Sequence, residues 1–213
     1  GDHRDLHPFP TRRSSDLQAQ VEKNWTRLPF REMAGSKWLI FGFGAIGQAC
    51  GRRLRTLGAD VTGVRRNVAS SDAADRVITQ DQAKAEIAGA DVILLCLPLT
   101  EATEDFADAA FFAQMKPGSL LINVGRGGLV DEAALFAALD AGRPAQAYLD
   151  VVREEPLSED SPIWSHPNIT LTPHISALTM GSQVRTDQVF LENLQYFLDG
   201  KPLRNAVSSE AFA

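Results

Sequence analysis

The sequence predicts an α/β fold built on a doubly wound parallel sheet. Short apolar stretches of strand length alternate along the chain with stretches that carry apolar residues at helical spacing. Some of the strand-like stretches are apolar throughout, as in strands that are buried on both faces. Strands separated by helices of this length are typical of a parallel sheet that is covered on both sides. The predicted strands are 37–41, 60–64, 91–97, 120–124, 145–151 and 169–171.

The predicted helices lie between these strands and at the end of the chain. Gly58 is placed to close the first of them, and Asp131 is placed to cap a helix that Gly142 stops. An amphipathic arm precedes the first strand, with apolar residues such as Trp25 at helical spacing until Pro29. The predicted helices are 48–57, 83–87, 107–115, 131–139 and 179–198.

Composition limits the class of protein. The 213 residues are 44% hydrophobic and 23% charged, as in ordinary globular chains. The formal net charge of −6 argues against nucleic acid as a main partner, since such binding depends on Lys and Arg that neutralise phosphates. The apolar stretches are too short to span a membrane. Cys50 and Cys96 indicate small core residues of a reduced, cytoplasmic protein.

The first seventeen residues differ from the rest. They have neither apolar periodicity nor the pattern of a signal peptide. They closely resemble the conceptual translation of a common DNA-sequencing adapter, from which only Pro8 departs. We interpret residues 1–17 as adapter sequence, the alternative being a disordered leader. On the first interpretation the true amino terminus is missing, and no targeting signal can be assigned.

A glycine fingerprint, Gly42-Phe43-Gly44-Ala45-Ile46-Gly47, follows the first predicted strand and opens the first helix. In this setting the first glycine permits a tight turn, the second lets a pyrophosphate approach the backbone, and the third lets the helix pack closely on the sheet. The amide groups and the positive end of the helix then hold the phosphates. The alternative is an ordinary glycine-rich turn. The predicted phosphate-binding residues are Gly42, Gly44, Ala45, Ile46 and Gly47.

Arg65 and Arg66 follow the second predicted strand, where an NAD site usually carries Asp or Glu. A guanidinium can bind a 2′-phosphate through paired, charge-assisted hydrogen bonds, whereas a carboxylate would repel it. Asp60 lies at the other end of the strand and cannot substitute. NADP(H) is therefore the favoured cofactor and NAD(H) the second choice. The alternative is that both arginines are solvated loop charges.

Three polar residues lie in sharply framed settings downstream: Arg126 in Val-Gly-Arg-Gly-Gly, Glu155 before a proline, and His174 in Thr-Pro-His-Ile. Together these side chains can bind an acidic substrate and move a proton. Taken singly, each has another interpretation: a salt-bridge partner, a member of the acidic run 154–160, and a loop histidine. His166 is interpreted as an exposed turn residue.

The succession of motifs from Gln18 to Val207 resembles the D-isomer-specific 2-hydroxyacid dehydrogenase family. The matching stretches are GFGAIG, LPLT from Leu97, MKPGSLLINVGRGGLVDEAAL from Met115, LDVVREEPL from Leu149 and PNITLTPHIS from Pro167. The resemblance implies a Rossmann-type domain and a glyoxylate or hydroxypyruvate reductase-like activity. The chain departs from the pattern at Val152, where an aromatic residue is common, and at Ala45, where arginine is frequent.

The resemblance also implies the roles of the polar residues. Arg126 would bind the carboxylate and polarise the carbonyl of a 2-keto acid, and His174 would exchange the proton. Glu155 beside the imidazole would favour its cationic form. Ser176 is a weaker candidate for lining the pocket. Further cofactor contacts are implied at Leu97, Pro98, Thr100, Val124, Gly125 and Asp150.

No metal site is predicted, because the two histidines outside the first seventeen residues lack partners at ligand spacing. The absence of a GxSxG motif disfavours a hydrolase. Two other functions stay open. One is a non-catalytic nucleotide-sensing protein similar to the related transcriptional corepressors, and the other is a relative that acts on phosphoglycerate or formate.

The resemblance implies a division of the chain into an arm at 18–35, an NAD(P)-binding domain at 36–178 and a C-terminal helix at 179–213. That helix would complete a substrate domain whose amino-terminal part precedes the arm in family members. Closure that excludes water is part of such chemistry, so we expect very low turnover from this chain alone. A homodimer through the arm around Trp25 is implied by the resemblance.

Overall fold

The computed structural model describes residues 19–25 and 31–206, so the predicted adapter-derived segment and the proline that ends the arm lie outside the described residues. Seven parallel strands form one sheet in the order β3-β2-β1-β4-β5-β6-β7. The predicted doubly wound α/β fold is confirmed. The strands are β1 Lys37–Phe41, β2 Asp60–Val64, β3 Arg76–Ile78, β4 Val92–Leu95, β5 Leu120–Asn123, β6 Gln146–Leu149 and β7 Ile169–Leu171.

Helices lie between these strands and after the last of them. The helices are α1 Ala45–Thr56, α2 Gln80–Ala83, α3 Ala109–Gln114, α4 Glu132–Asp140 and α5 Ser182–Leu198. The 3-10 segments are Ile87–Gly89, Gly127–Leu129 and Pro162–Ser165.

Both faces of the sheet are covered, which explains why several strands are apolar throughout. In β1, Leu39 and Phe41 belong to the hydrophobic cluster on one face, whereas Trp38 and Ile40 belong to the cluster on the other face. Successive side chains of a strand point to opposite faces, so a strand covered on both sides needs apolar residues at every position.

The bounds of β1, β2 and β7 agree with the prediction, and the other predicted strands are shorter at one or both ends. One predicted helix, 83–87, is wrong. The helix instead spans Gln80–Ala83, because Thr79 and Gln82 form a reciprocal capping box that starts it earlier. A separate 3-10 segment follows at Ile87–Gly89. The short strand β3 was not predicted.

Asp91 joins three segments at the amino end of β4. Its carboxylate accepts hydrogen bonds from the backbone amide of Lys37 at 2.9 Å and from Nζ of Lys116 at 2.6 Å. Arg31, in the last part of the predicted arm, lies 3.4 Å from the same carboxylate. Burial by itself raises the pKa of Asp91, but these hydrogen bonds and cations outweigh it, so the pKa lies below its usual value.

The chain forms two compact units, the first ending at Pro173 and the second beginning at His174. The sheet belongs to the first unit. In the second, the side-chain amide of Asn193 on α5 exchanges two hydrogen bonds with the backbone of Arg204, at 2.7 and 3.1 Å. No residue of α5 is buried, and it exposes apolar side chains such as Phe190 and Phe197. Across the described ranges, no helix is both long and apolar enough to cross a membrane.

Candidate nucleotide-binding and catalytic site

The predicted fingerprint forms the turn between β1 and α1, and its three glycines differ in their surroundings. Gly42 has a φ of +84°, and a Cβ there would lie 2.5 Å from the carbonyl carbon of Cys96. A Cβ on Gly47 would lie 2.7 Å from the carbonyl oxygen of Gly42. A Cβ on Gly44 would meet no heavy atom within 4 Å. The first and third positions therefore lack room for a side chain within the fold, and the second leaves open space above the turn.

Gly44 is also the N-cap of α1, and no side chain caps this helix. The first amide groups of a helix have no partners within it, so an uncapped start is suited to bind an anion. Ala45 and Ile46, the next two residues, are exposed. The local geometry thus fits the predicted contact with a pyrophosphate.

A buried phenylalanine holds the turn in place. The amides of Gly42 and Phe43 both donate to the carbonyl oxygen of Val64, at 3.2 and 3.0 Å. The Phe43 ring lies where β2 carries Gly63, since a Cβ on that glycine would be 2.4 Å from Cγ of the ring. It also contacts Gly51 of α1. The turn is therefore fixed to both β2 and α1.

Arg65 and Arg66 lie at the carboxyl end of β2, directly after Val64, whose carbonyl oxygen accepts the two hydrogen bonds from the turn. Arg66 is exposed, and the Arg65 guanidinium donates to the carbonyl oxygen of Asn67. Asp60 begins the same strand, five residues before Arg65 and therefore roughly 16 Å away along the strand at the usual rise per residue. The structure thus provides cations and no strand-end carboxylate where a ribose 2′-substituent is expected.

The loop that follows β4 contains Leu97, Pro98 and Thr100. Thr103 closes it, because its hydroxyl donates to the Pro98 carbonyl at 2.7 Å and accepts from the Thr100 amide at 2.8 Å. Thr103 was not predicted, since its role depends on a turn that only the fold defines.

Arg126 is exposed just beyond β5, in a turn held by the buried side chain of Asn123. The amide nitrogen of Asn123 donates to the carbonyl of Arg126 at 2.9 Å, and its oxygen accepts from the amide of Gly125 at 3.0 Å. One guanidinium nitrogen of Arg126 donates to the Gly125 carbonyl at 2.7 Å. Asn123 was not predicted as a functional residue, although it lies within the motif.

The glycines around Arg126 serve close packing. A Cβ on Gly125 would lie 2.8 Å from the Leu97 carbonyl oxygen, and one on Gly128 would lie 2.9 Å from the Leu99 side chain. A Cβ on Gly127 would lie 1.9 Å from the carbonyl carbon of Val152. The loops after β4, β5 and β6 therefore stack directly on one another.

Glu155 is exposed beyond β6, and its Oε1 accepts a hydrogen bond of 3.1 Å from the Val152 amide. Asp150 is buried directly after the same strand. Its carboxylate accepts from the Thr172 hydroxyl at 2.6 Å, and this hydroxyl lies 3.0 Å from that of Tyr148. Thr172 and Tyr148 were not predicted as parts of the site.

His174 has a φ of +52° and is the first residue of the second unit. Arg126, Glu155 and Asp150 belong to the first unit, at the carboxyl ends of β5 and β6. The predicted trio is thus divided between two units, and its assembly stays a prediction. The His166 ring lies against that of Phe136 in a tilted arrangement, with ring centres 5.6 Å apart, and its Nδ1 accepts from the Asn168 amide at 3.2 Å. His166 is half-buried, so the prediction of an exposed residue is wrong.

Both cysteines are free thiols that pack beside the nucleotide turn. Burial raises the pKa of Cys96 to about 12 and also raises the pKa of Cys50. Neither thiol is therefore activated as a nucleophile. Within 19–25 and 31–206, no group of three or more His, Cys, Asp or Glu side chains could hold a metal ion.

The model of one protein family, the D-isomer specific 2-hydroxyacid dehydrogenase NAD binding domain, matches residues 10–176. The chain belongs to this family. The resemblance drawn from the sequence motifs is thereby confirmed. This 2-hydroxyacid dehydrogenase domain carries its candidate site at the carboxyl edge of the sheet, with the glycine turn on one half of that edge and the polar loops on the other.

Several relatives share this domain. A D-3-phosphoglycerate dehydrogenase from Archaeoglobus fulgidus is 33% identical over 189 residues, which are 88% of this chain and 36% of that protein. Glyoxylate/hydroxypyruvate reductase A from Yersinia enterocolitica is 34% identical over 89% of this chain and 60% of that protein. The chain therefore spans only part of the length of each relative.

A solved structure also matches. The NADPH-dependent glyoxylate/hydroxypyruvate reductase from Sinorhizobium meliloti, in complex with NADP and sulfate, superposes with a TM-score of 0.86 at 30% identity. The match covers 95% of this chain and 65% of that one.

Proposed function

We propose that this chain is the cofactor-binding part of a reductase that transfers a hydride between NADP(H) and a small 2-keto or 2-hydroxy acid. The observation that carries the proposal is the carboxyl edge of the sheet. There the open glycine turn, the arginines after β2 and the stacked loops with Arg126 and Glu155 follow one another along neighbouring strands. Reductases of glyoxylate and hydroxypyruvate among the relatives support the same substrate class.

The cofactor would lie across this edge. The uncapped start of α1 would hold its pyrophosphate, and Arg65 and Arg66 would bind the 2′-phosphate. Asp150, held by Thr172, would lie beside the nicotinamide, because β4 to β6 form the second mononucleotide half of such a sheet. When bound, the reduced cofactor supplies the hydride.

The chain's own residues would bind the keto acid and handle the proton. The Arg126 fork would pair with the substrate carboxylate and polarise the neighbouring carbonyl. As the carbonyl carbon accepts the hydride and its π bond breaks, the oxygen would take a proton from His174, giving the hydroxy acid and oxidised cofactor. Glu155 would stabilise the cationic imidazole. In the reverse direction the histidine would be the base.

The domain division at 36–178 and 179–213 belongs to this proposal, with the exposed α5 completing a substrate domain. So does a homodimer that forms through the arm, in which Trp25 is 94% exposed. Light scattering of the chain and of Trp25→Ala tests the dimer: a monomeric wild type at micromolar concentration would contradict it.

Titration of the chain with NADPH and NADH, followed by nicotinamide fluorescence, tests the cofactor. We expect tighter binding of NADPH, and removal of both arginines (Arg65→Ala with Arg66→Ala) should weaken NADPH but not NADH. Each charge-assisted contact with a phosphate contributes about 1.5–3 kcal/mol, which predicts a loss of roughly tenfold or more. A preference of the wild type for NADH would refute the assignment.

Turnover tests the chemistry. On the proposed division of domains, a longer protein that joins this chain to an amino-terminal substrate domain should reduce glyoxylate or hydroxypyruvate with NADPH, and His174→Ala should abolish the reaction. The chain by itself should turn over very slowly, because one wall of the cleft would be missing. Robust reduction by the chain alone would overturn the proposed division of domains, and a longer protein inactive on every 2-keto acid would overturn the function.

A further inference from the structure

Arg153 lies at the junction of the three loops that follow β4, β5 and β6. One guanidinium nitrogen lies 3.4 Å from Oε1 of Glu104, and the other donates to the carboxylate of Asp105 and, at 3.2 Å, to the carbonyl of Val130. Its backbone amide donates to Oε1 of Glu132 at 2.8 Å. Arg153, in the loop after β6, therefore joins the loop after β4, the segment after β5 and the start of α4.

These partners are themselves fixed to the loop that carries Arg126. The Asp105 amide donates to the Gly128 carbonyl at 2.9 Å, and the Ala107 amide donates to the Leu129 carbonyl at 2.9 Å. Gly127 also packs against the backbone of Val152 and Arg153 without room for a Cβ. Close packing and the Arg153 guanidinium therefore both hold the loops together.

The guanidinium joins the two outer loops of the stack. Asp105 ends the loop that contains Thr100, and Arg153 lies two residues before Glu155. The Glu155 carboxylate accepts from the Val152 amide, so a shift of this short turn would move it. Ion pairs as exposed as this one, with 39% of the Arg153 side chain exposed, contribute little to the free energy of unfolding. The geometry gives Arg153 a role in the site more than in the stability of the fold.

We infer that Arg153 is a positioning residue for the nicotinamide half of the site: it fixes the loop after β4 against the turn that carries Glu155. This inference rests on the proposed function, because it assumes that the cofactor extends from the glycine turn to these loops. It assigns no contact between Arg153 and the substrate or cofactor.

Two probes separate the halves of the site. NADPH would contact both the glycine turn and the three loops, whereas 2′,5′-ADP would contact only the adenosine side near Arg65. Arg153→Ala should weaken the binding of NADPH about fivefold and leave the binding of 2′,5′-ADP unchanged. The NADPH affinity of Arg153→Lys should lie between those of the wild type and Arg153→Ala, since a single ammonium cannot span the same acceptors. Asp105→Asn should reproduce part of the effect, because asparagine tolerates the φ of +49° but lacks the charge.

Arg76→Ala is the matched control. Arg76 forms an exposed ion pair of 3.0 Å with Glu86. It lies at the start of β3, the outermost strand on the side of β1 that faces away from β4 to β6. It should change neither affinity, and the melting temperatures of both variants should stay close to that of the wild type.

Equal NADPH affinity of the wild type and Arg153→Ala would overturn the inference while leaving the proposed function intact. An equal loss of NADPH and 2′,5′-ADP would also overturn it, because that result indicates a general disturbance of the fold. If the wild-type chain shows no measurable binding of either 2′,5′-ADP or NADPH, the result would contradict both the proposed function and this inference.

Discussion

Gly44→Ala separates nucleotide binding from stability. A methyl group at residue 44 would meet no heavy atom of the protein within 4 Å, and its φ of −89° lies outside the left-handed region. The free energy of unfolding should therefore change by less than about 1 kcal/mol. The same methyl group would fill the space through which a pyrophosphate reaches the helix start. Loss of one charge-assisted hydrogen bond costs about 1.5–3 kcal/mol, so NADPH should bind about 10- to 100-fold more weakly.

Gly42→Ala should have a different effect, although it lies two residues away. Its φ of +84° costs an alanine about 1–2 kcal/mol, and the new Cβ would lie 2.5 Å from backbone atoms of Cys96. We expect a total loss of about 3 kcal/mol or more, which for a domain of this size lowers the melting temperature by roughly 6–12 °C. Any loss of NADPH binding by Gly42→Ala should therefore be accompanied by a loss of stability, unlike that of Gly44→Ala.

Thermal melts and NADPH titrations of both variants test these expectations. Gly89→Ala is the matched control, because residue 89 also has open space within 4 Å but lies before β4, away from the turn. It should change neither quantity. Wild-type NADPH affinity in Gly44→Ala would refute the placement of the phosphates at this helix start.

Three further predictions concern buried or half-buried polar groups. Among the described residues, the buried Ser119 hydroxyl has no hydrogen-bond partner, whereas the Ser36 hydroxyl donates to the Met33 carbonyl at 2.5 Å and accepts from the Trp38 indole at 3.0 Å. In urea denaturation, Ser119→Ala should leave stability unchanged or raise it by about 1 kcal/mol, and Ser36→Ala should lower it by about 1–3 kcal/mol; equal losses would show that Ser119 has a hidden partner. Folding lowers the pKa of Asp91. The contribution of Asp91 to the free energy of unfolding should therefore be complete above its unfolded pKa near 3.8 and should be lost as the pH falls below that value. Asp91→Asn should flatten the acid limb of a stability–pH profile. Asn123→Ser should weaken NADPH binding and, in a protein that joins this chain to a substrate domain, raise the KM for the keto acid through movement of Arg126; unchanged binding and kinetics would contradict a positioning role for the Asn123 side-chain amide.

The sequence predicted best those features that depend on neighbouring residues. Apolar runs fixed the positions of β1 and β2, and Asp131 does cap α4. Helix α1 begins at Ala45, three residues before the predicted start, because the fingerprint itself forms its first turn without a capping side chain. The three-residue strand β3 was missed, whereas the equally short β7 was predicted; β7 lies within the stretch PNITLTPHIS, and no comparable motif marks Arg76–Ile78.

The site was predictable where a motif is contiguous and unpredictable where contacts are long-range. The fingerprint and the arginines after β2 could be placed from local sequence alone. The partners of Arg153 lie 48 and 49 residues upstream, so no local pattern indicates them. Thr172 likewise reaches Asp150 only because β6 and β7 are adjacent in the sheet.

The packing of Phe43 has a consequence for the energetics of ligand binding. Its ring anchors the nucleotide turn to Gly63 and Gly51 before any ligand arrives. The conformational entropy of this segment is therefore lost during folding, and binding need not supply it again. A smaller side chain at residue 43 would leave a turn that samples several conformations, and each ligand would then bind with lower affinity even if every contact to it were retained.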